Sequence, residues 1–251
     1  MNDMSALTLA GNKIECKLVI FDLSGTLINT KPRFRSLARA RAQTLGKITG
    51  EKVVERWAEA SGVTLGSWEY DEEGPLARAS RREDITVAAT ALYASGRGWR
   101  EAKELAEHAY AEADELLAQT YTPALFDEVE DALKRLRRSG LALAVATNDR
   151  RNVAEEALEA TGVRDLFRAV VGADEVENPK PSPEMILLAC ERCGISSHEA
   201  VCVGDHPDDM KAGERAGAKA LVAVSPGSKP SPELVKLADI YVESVSDFQK
   251  P

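Results

Sequence analysis

Six short runs of apolar residues recur along the chain, and segments with helical features separate most of them. The runs cover residues 17–23, 141–147, 169–174, 200–205, 219–224 and 239–244. Runs this apolar are typical of β-strands that are covered on both faces, as in a parallel sheet. The helical segments are punctuated: 126–140 has basic residues in its last turn and ends at a glycine. Strand–helix–strand repetition of this kind predicts a doubly wound α/β core.

Two of the helical segments begin with the same short signature. Ser182 and Ser231 each precede a proline and a glutamate, which predicts a serine cap with proline at the first helical position.

A long insertion follows the first apolar run. Residues 30–120 contain no good strand, and four of their segments, 32–46, 50–62, 80–96 and 98–121, have helical patterns. Ser80 and Glu83 fit a capping box at the start of the third segment. We therefore expect one core, formed by residues 1–29 and 121–251, and an inserted all-helical subdomain over residues 30–120.

Composition limits the classes of partner. The chain has 251 residues, of which 44% are hydrophobic, which suffices for a substantial core. Its 32 basic and 41 acidic residues give 32 − 41 = −9, which argues against a nucleic-acid partner. No apolar run approaches the roughly 18 residues that span a bilayer, and the first residues lack the features of a signal peptide. We predict a cytoplasmic protein with no membrane partner; the sequence does not indicate an oligomeric state.

Polar side chains stand where the predicted strands end. Ligands of open α/β sheets bind beyond the carboxyl ends of the strands, so these side chains are expected to converge. In chain order they are Asp22, Thr147 with Asn148, Lys180, and Asp205 with Asp209.

Such a set has a specific chemistry. Two acidic groups at separate strand ends attract Mg²⁺, which prefers a few carboxylates together with substrate oxygens and water. A lysine, a threonine hydroxyl and the backbone N–H groups of the turn that contains Ser24, Gly25 and Thr26 can hold phosphoryl oxygens. Asp22 can then attack phosphorus and form an aspartyl phosphate. Each residue taken alone also fits a turn, a helix cap or a solvated surface; the combination favours a site.

Four segments now resemble a known family. "FDLSGTL", "AVATN", "NPKPSPE" and "VGDHPDD" are similar to the four motifs of the haloacid dehalogenase superfamily, and the insertion resembles the helical cap of its phosphoglycolate-phosphatase-like branch. The resemblance covers nearly the whole chain. It implies a Rossmann-like core, a mobile cap, bound Mg²⁺ and phosphatase-type hydrolysis of a small phosphorylated metabolite through an aspartyl phosphate.

The resemblance also implies roles for individual residues. Asp22 is expected to be the nucleophile and, with Asp205, a metal ligand, and Asp209 a supporting ligand. The backbone carbonyl of Ser24 is expected to complete the metal site. The phosphoryl group is expected to lie against Ser24, Gly25, Thr26, Thr147, Asn148 and Lys180, with Thr147 and Lys180 also counted as catalytic.

Ser24 departs from the family pattern, because related phosphatases usually carry an aspartate there as general acid and base. Such a group is typically worth roughly 10²–10⁴-fold in rate. One interpretation is a phosphatase whose leaving group departs readily or that recruits another acid, with His206 the nearest candidate in sequence. A second is a low-turnover phosphate-binding or regulatory protein. A third, less favoured, is a phosphonoacetaldehyde-hydrolase-like or dehalogenase-like enzyme; the acidic fourth motif argues against the metal-free dehalogenases.

Overall fold

The computed structural model describes residues 6–72 and 74–248. Residues 1–5 and 249–251, at the two ends of the predicted core, and residue 73 of the insertion lie outside the described residues. The strands are β1 (Ala6–Leu9), β2 (Asn12–Glu15), β3 (Leu18–Phe21), β4 (Val63–Thr64), β5 (Glu69–Tyr70), β6 (Ala142–Thr147), β7 (Ala169–Gly172), β8 (Ala200–Gly204), β9 (Ala220–Val224) and β10 (Ile240–Val242). The helices are α1 (Lys31–Thr49), α2 (Glu51–Ser61), α3 (Pro75–Arg78), α4 (Arg81–Tyr93), α5 (Trp99–Thr120), α6 (Val129–Arg138), α7 (Arg151–Ala160), α8 (Glu184–Cys193), α9 (Pro207–Arg215) and α10 (Pro232–Leu237).

The central sheet has six parallel strands in the order β10-β9-β8-β3-β6-β7. Each strand lies within one of the six apolar runs, so the predicted α/β fold with a Rossmann-like parallel sheet is confirmed. The strand that precedes Asp22, β3, lies in the middle of the sheet, between β8 and β6. The carboxyl ends of these three strands therefore meet at one edge of the sheet.

Both faces of the sheet are covered, which explains why its strands are so apolar. Val19 and Phe21 of β3 point into one core layer, with residues of α6 and α7, whereas Leu18 and Ile20 point into the other, with residues of α8 and α9. All four side chains are buried. Alternate side chains of a strand point to opposite faces, so a strand between two helical layers has no face left for polar residues until it ends.

Several local features differ from the sequence-based expectations. The described residues begin with an antiparallel hairpin, β1–β2, which was not predicted from the sequence, and Leu7 and Leu9 of this hairpin are fully buried in the core. The insertion contains a two-residue antiparallel pair, β4–β5, where no strand was expected. Ser231 caps its helix as predicted, but Ser182 does not: Pro183 precedes α8, and the Ser182 hydroxyl donates to the carboxylate of Glu184 instead.

The chain separates into two compact units, one of Met1–Asn29 with Pro123–Pro251 and one of Thr30–Thr122. The second unit is mainly helical and has a core of its own. Within it, Arg41 is paired with Asp84, and the hydroxyl of Tyr110 accepts from Trp57 Nε1 at 2.9 Å and donates to Asp84 Oδ1 at 3.0 Å. The capping box of Ser80 and Glu83 is present at α4. Among the described residues, no helix is long and apolar enough to cross a membrane.

Candidate active site

Three carboxylates converge at the carboxyl edge of the sheet. Asp22 follows β3, Asp205 follows β8, and Asp209 lies in the first turn of α9. One oxygen atom from each of the three lies within 4.8 Å of the others. The parallel pairing of β3 with β8 brings the first two together, because adjacent parallel strands in register end side by side. The backbone N–H of Asp22 also donates to Val203 O at 2.8 Å, so the ladder continues to the site.

Lys180 reaches this cluster from the loop that follows β7. Its Nζ lies 2.6 Å from Asp22 Oδ1 and 2.6 Å from Asp209 Oδ1, and it donates to Ala146 O at 2.9 Å. The side chain is 4% exposed. With three acceptors the ammonium group has used its three donors, which fixes it between the two carboxylates.

The charges of the cluster do not balance. If all three carboxyl groups were ionised, they and the ammonium group would give −3 + 1 = −2 in a largely buried place. Burial raises the pKa of Asp22 to about 7, although Lys180 opposes the shift and Asp209 adds to it. Burial, together with the charges of Asp22 and Asp209, raises the pKa of Asp205 to about 8. Burial alone would lower the pKa of Lys180, but Asp209 and Asp22 raise it above its ordinary value.

The turn after β3 is shaped by a close approach to Asp205. Gly25 has φ +90°, and a Cβ atom there would lie 2.3 Å from Asp205 Oδ2, so only glycine fits. The buried Thr26 hydroxyl donates to Asp205 Oδ1 at 2.8 Å, and the N–H of Gly25 donates to Ile28 O at 2.9 Å. The structure thus gives the Thr26 side chain and the Gly25 N–H partners within the protein, and both hold the site together.

Gly204 likewise makes room for a side chain of the site, that of Asp209. A Cβ atom on Gly204 would lie 2.4 Å from Asp209 Cβ, so the glycine makes room for that side chain. Asp209 Oδ2 in turn accepts from the backbone N–H of His206 at 3.0 Å and closes a capping box at the start of α9. Asp209 therefore caps its helix with one oxygen and binds Lys180 with the other. The residue is both a helix cap and a member of the candidate site.

The end of β6 supplies the remaining predicted residues. Thr147 is 1% exposed, and its hydroxyl accepts from the N–H of Asp149 at 3.2 Å. Asn148 makes two hydrogen bonds to the backbone of Lys180, to its N–H at 3.1 Å and to its carbonyl at 3.3 Å. Asn148 thus positions the lysine loop against the strand.

Ser24 and His206 lie on the exposed side of the cluster. The Ser24 hydroxyl donates to Asp149 Oδ2 at 3.0 Å. The His206 side chain is 53% exposed, and its Nδ1 accepts from the N–H of Asp208 at 3.3 Å at the start of α9. The structure gives His206 the role of a helix cap, whereas Ser24 is joined to a carboxylate from another strand end.

Asp149 lies near the site and was not predicted from the sequence. It directly follows Thr147 and Asn148, so the rule that polar residues at strand ends converge would have included it. The Ala146 carbonyl and Gly204 were also missed. A carbonyl carries no sequence signal, and a glycine that makes room for a side chain five positions later is recognised only from coordinates.

Comparisons with known proteins show the family and the fold of the chain. Residues 16–217 match the family model of haloacid dehalogenase-like hydrolases. Phosphoglycolate phosphatase from Shigella boydii is 30% identical over 212 residues, covering 82% of this chain and 81% of its own, and the one from Psychrobacter arcticus is 29% identical over 205 residues, covering 82% of each. A haloacid dehalogenase family hydrolase from Deinococcus radiodurans, solved with bound phosphate and sodium, superposes with a TM-score of 0.62 at 19% identity, covering 92% of this chain and 93% of that one.

Proposed function

The chain belongs to the haloacid dehalogenase-like hydrolases, and on that premise we propose that it is a Mg²⁺-dependent phosphatase. Its substrate is a small phosphorylated metabolite, and the reaction passes through an aspartyl phosphate on Asp22. The observation that carries the proposal is the ammonium group of Lys180, which lies 2.6 Å from both Asp22 and Asp209 at the edge of the sheet. Similarity to proteins named phosphoglycolate phosphatase supports the reaction class.

The donor set fits Mg²⁺. Asp22, Asp205 and Asp209 offer hard carboxylate oxygens within 4.8 Å of one another, and a divalent cation would offset the charge of −2 that Lys180 leaves. Burial and the neighbouring carboxylates raise the pKa values of Asp22 and Asp205, and a divalent cation would favour their ionised forms. We propose Asp22 and Asp205 as ligands, with the backbone carbonyl of Ser24, and Asp209 as a supporting group. When bound, the metal would act as a Lewis acid on the phosphoryl oxygens.

The side chains of the chain divide the work of phosphoryl transfer. A carboxylate oxygen of Asp22 attacks phosphorus, the bond from phosphorus to the leaving oxygen breaks, and water later hydrolyses the aspartyl phosphate. Lys180 lowers the repulsion between the anionic nucleophile and the anionic substrate, because its charge stands beside Asp22 before the substrate arrives. Thr147 at the end of β6, and the backbone around Ser24, hold the phosphoryl oxygens. Asn148 acts on the substrate through the loop of Lys180, which it fixes.

The helical unit is proposed to act as a cap that selects the substrate. The two connections between the units, near residues 29–32 and 120–125, contain prolines and small polar residues that suit hinge segments. Hydrogen exchange with and without Mg²⁺ plus beryllium fluoride, a phosphate mimic, is expected to show new protection in residues of both units. Unchanged exchange in the helical unit, with binding established by calorimetry, contradicts the cap.

The function is tested with Asp22→Asn, whose side chain has nearly the same shape. Purified protein is assayed for phosphate release from alkyl, aryl and acyl phosphates, 2-phosphoglycolate included, with Mg²⁺ and with EDTA. We expect turnover by the unmodified protein with Mg²⁺ and none by Asp22→Asn, whose circular dichroism is unchanged. Full activity of Asp22→Asn, or undiminished activity in EDTA, refutes the mechanism. Affinity for phosphate without turnover in either protein indicates the binding or regulatory alternative.

A further inference from the structure

A carboxylate from a different strand stands beside the serine that replaces the usual general acid and base. Ser24 Oγ donates to Asp149 Oδ2 at 3.0 Å, although the two residues are 125 positions apart in the chain. Ser24 lies two residues after the nucleophile Asp22, and Asp149 lies two residues after Thr147. Both side chains are exposed, so the pair lies on the open side of the site.

Asp149 is held in place by three hydrogen bonds. Its backbone N–H donates to the Thr147 hydroxyl at 3.2 Å, its carbonyl accepts from the N–H of Ala173 at 2.9 Å, and its side chain accepts from Ser24. These partners come from the ends of β6, β7 and β3. The first two bonds fix the backbone of Asp149 at the ends of β6 and β7, and the bond from Ser24 orients its carboxylate. A group that transfers protons needs such positioning.

The Asp149 carboxylate lies close to the place where the carboxylate of an aspartate at position 24 would lie. An aspartate at position 24 in the same rotamer would place its Cγ near the present Oγ and its oxygens roughly 1.2 Å farther out. Asp149 Oδ2, at 3.0 Å from that Oγ, stands in the same neighbourhood. Two acidic side chains that follow β7 have different partners: Asp174 accepts from the N–H of Arg151, and Glu175 pairs with Arg192.

We propose that Asp149 supplies the general acid and base that position 24 lacks, with Ser24 as the residue that positions it; the proposal rests on the proposed phosphatase function. In the first step Asp22 bonds to phosphorus, the phosphorus–oxygen bond of the leaving group breaks, and the protonated Asp149 gives its proton to that oxygen. In the second step water bonds to phosphorus and loses a proton to Asp149, while the bond between phosphorus and Asp22 breaks. Phosphate leaves, and Asp149 is again protonated.

The proposal is tested by comparing Asp149→Asn with the exchange variant Ser24→Asp/Asp149→Ser. Alkyl phosphates need a proton on the leaving oxygen, and 4-nitrophenyl phosphate does not. Asp149→Asn is therefore expected to lose roughly 10²–10⁴-fold in kcat for alkyl phosphates and much less for nitrophenyl phosphate. The exchange variant returns a carboxylate to position 24 and is expected to recover most of the alkyl-phosphate turnover. Asp165→Asn, the same chemical change at an exposed position of the same unit, is the matched control.

A second readout follows the intermediate and does not depend on completed turnover. If Asp149 also activates water, acid-quenched Asp149→Asn is expected to carry more phosphate on Asp22, detected by mass spectrometry, than the unmodified protein. Thermal unfolding and calorimetric titration of Mg²⁺ show whether the variants fold and bind metal normally.

The outcomes separate the two proposals. An equal loss for both substrates without phosphoenzyme accumulation, or no loss in Asp149→Asn, overturns the role of Asp149 and leaves the phosphatase mechanism intact. An exchange variant that folds and binds Mg²⁺ but recovers no alkyl-phosphate turnover also overturns it. Absence of turnover in the unmodified protein, or full activity in Asp22→Asn, refutes the phosphatase function and this inference with it.

Discussion

Replacing Lys180 with methionine removes the ammonium group that lies between Asp22 and Asp209. Methionine keeps an unbranched side chain of similar length, so the packing changes little while the charge disappears. Three nearly buried carboxylates then face one another without a positive neighbour in the site. Breaking a buried ion pair by removing one partner typically costs about 3–5 kcal/mol.

The same magnitude follows from proton uptake. If one of the three carboxyl groups must be protonated in the folded state, its ordinary pKa of about 3.9 makes this cost about 4 kcal/mol at pH 7 and about 1.5 kcal/mol at pH 5. Lys180→Met is therefore expected to be strongly destabilised at pH 7 and much less at pH 5. With a urea slope of about 2 kcal/mol per molar, the midpoint at pH 7 falls by roughly 2 M. Mg²⁺ is expected to reduce the difference, because it supplies the missing positive charge.

The choice of probe matters, because all three tryptophans, Trp57, Trp68 and Trp99, lie in the helical unit. Fluorescence follows that unit, so unfolding of the sheet is measured by circular dichroism and by hydrogen exchange of peptides from β3, β6 and β8. Lys229→Met, at an exposed position, is the control and is expected to change the stability by less than about 0.5 kcal/mol. A loss for Lys180→Met no larger than this, or a loss that is the same at pH 5 and pH 7, refutes the electrostatic reasoning.

Three further predictions concern other parts of the molecule. Tyr110→Phe removes a buried hydroxyl that is hydrogen-bonded to Asp84 and to the indole of Trp57, and each partner left unsatisfied costs about 1–3 kcal/mol. The urea midpoint measured by tryptophan fluorescence should therefore fall, and an unchanged midpoint contradicts a stabilising role for these hydrogen bonds. Gly25→Ala places a Cβ atom against Asp205, so calorimetry should show weakened Mg²⁺ binding in a folded protein; wild-type affinity contradicts the close approach. Without metal, the folded state holds protons on Asp22 and Asp205 that the unfolded chain releases, so the stability that these groups contribute is fully present below about pH 4 and is lost as the pH rises through about 7–8. Saturating Mg²⁺ should remove this loss, and a metal-free stability that rises with pH over this range contradicts the prediction.

The sequence determined the sheet because each of its strands is covered on both faces. Such a strand must be apolar along its whole length, so the runs around Val19 and Val201 stand out without any knowledge of their partners. A polar residue near the end of such a run then marks the strand end, which is why the sequence predicted Asp22, Thr147 and Asp205 at the site. The hairpin β1–β2 was missed because Ala10, at φ +47°, stands where such turns usually carry Asn, Asp or Gly, although Gly11, at φ +79°, is a usual turn residue. Burial of Leu7 and Leu9 supports this turn.

The tertiary structure decided which of these residues touch. The strand order places β3 between β8 and β6, so that Thr26 reaches Asp205 on one side and Ser24 reaches Asp149 on the other. These contacts join positions 179 and 125 residues apart, and nothing in the local sequence specifies such distances. Side-chain periodicity depends on neighbours within a few residues, whereas strand order depends on how the whole chain packs. For that reason the sequence alone directed attention to His206 as a replacement acid, and the folded chain directs it to Asp149.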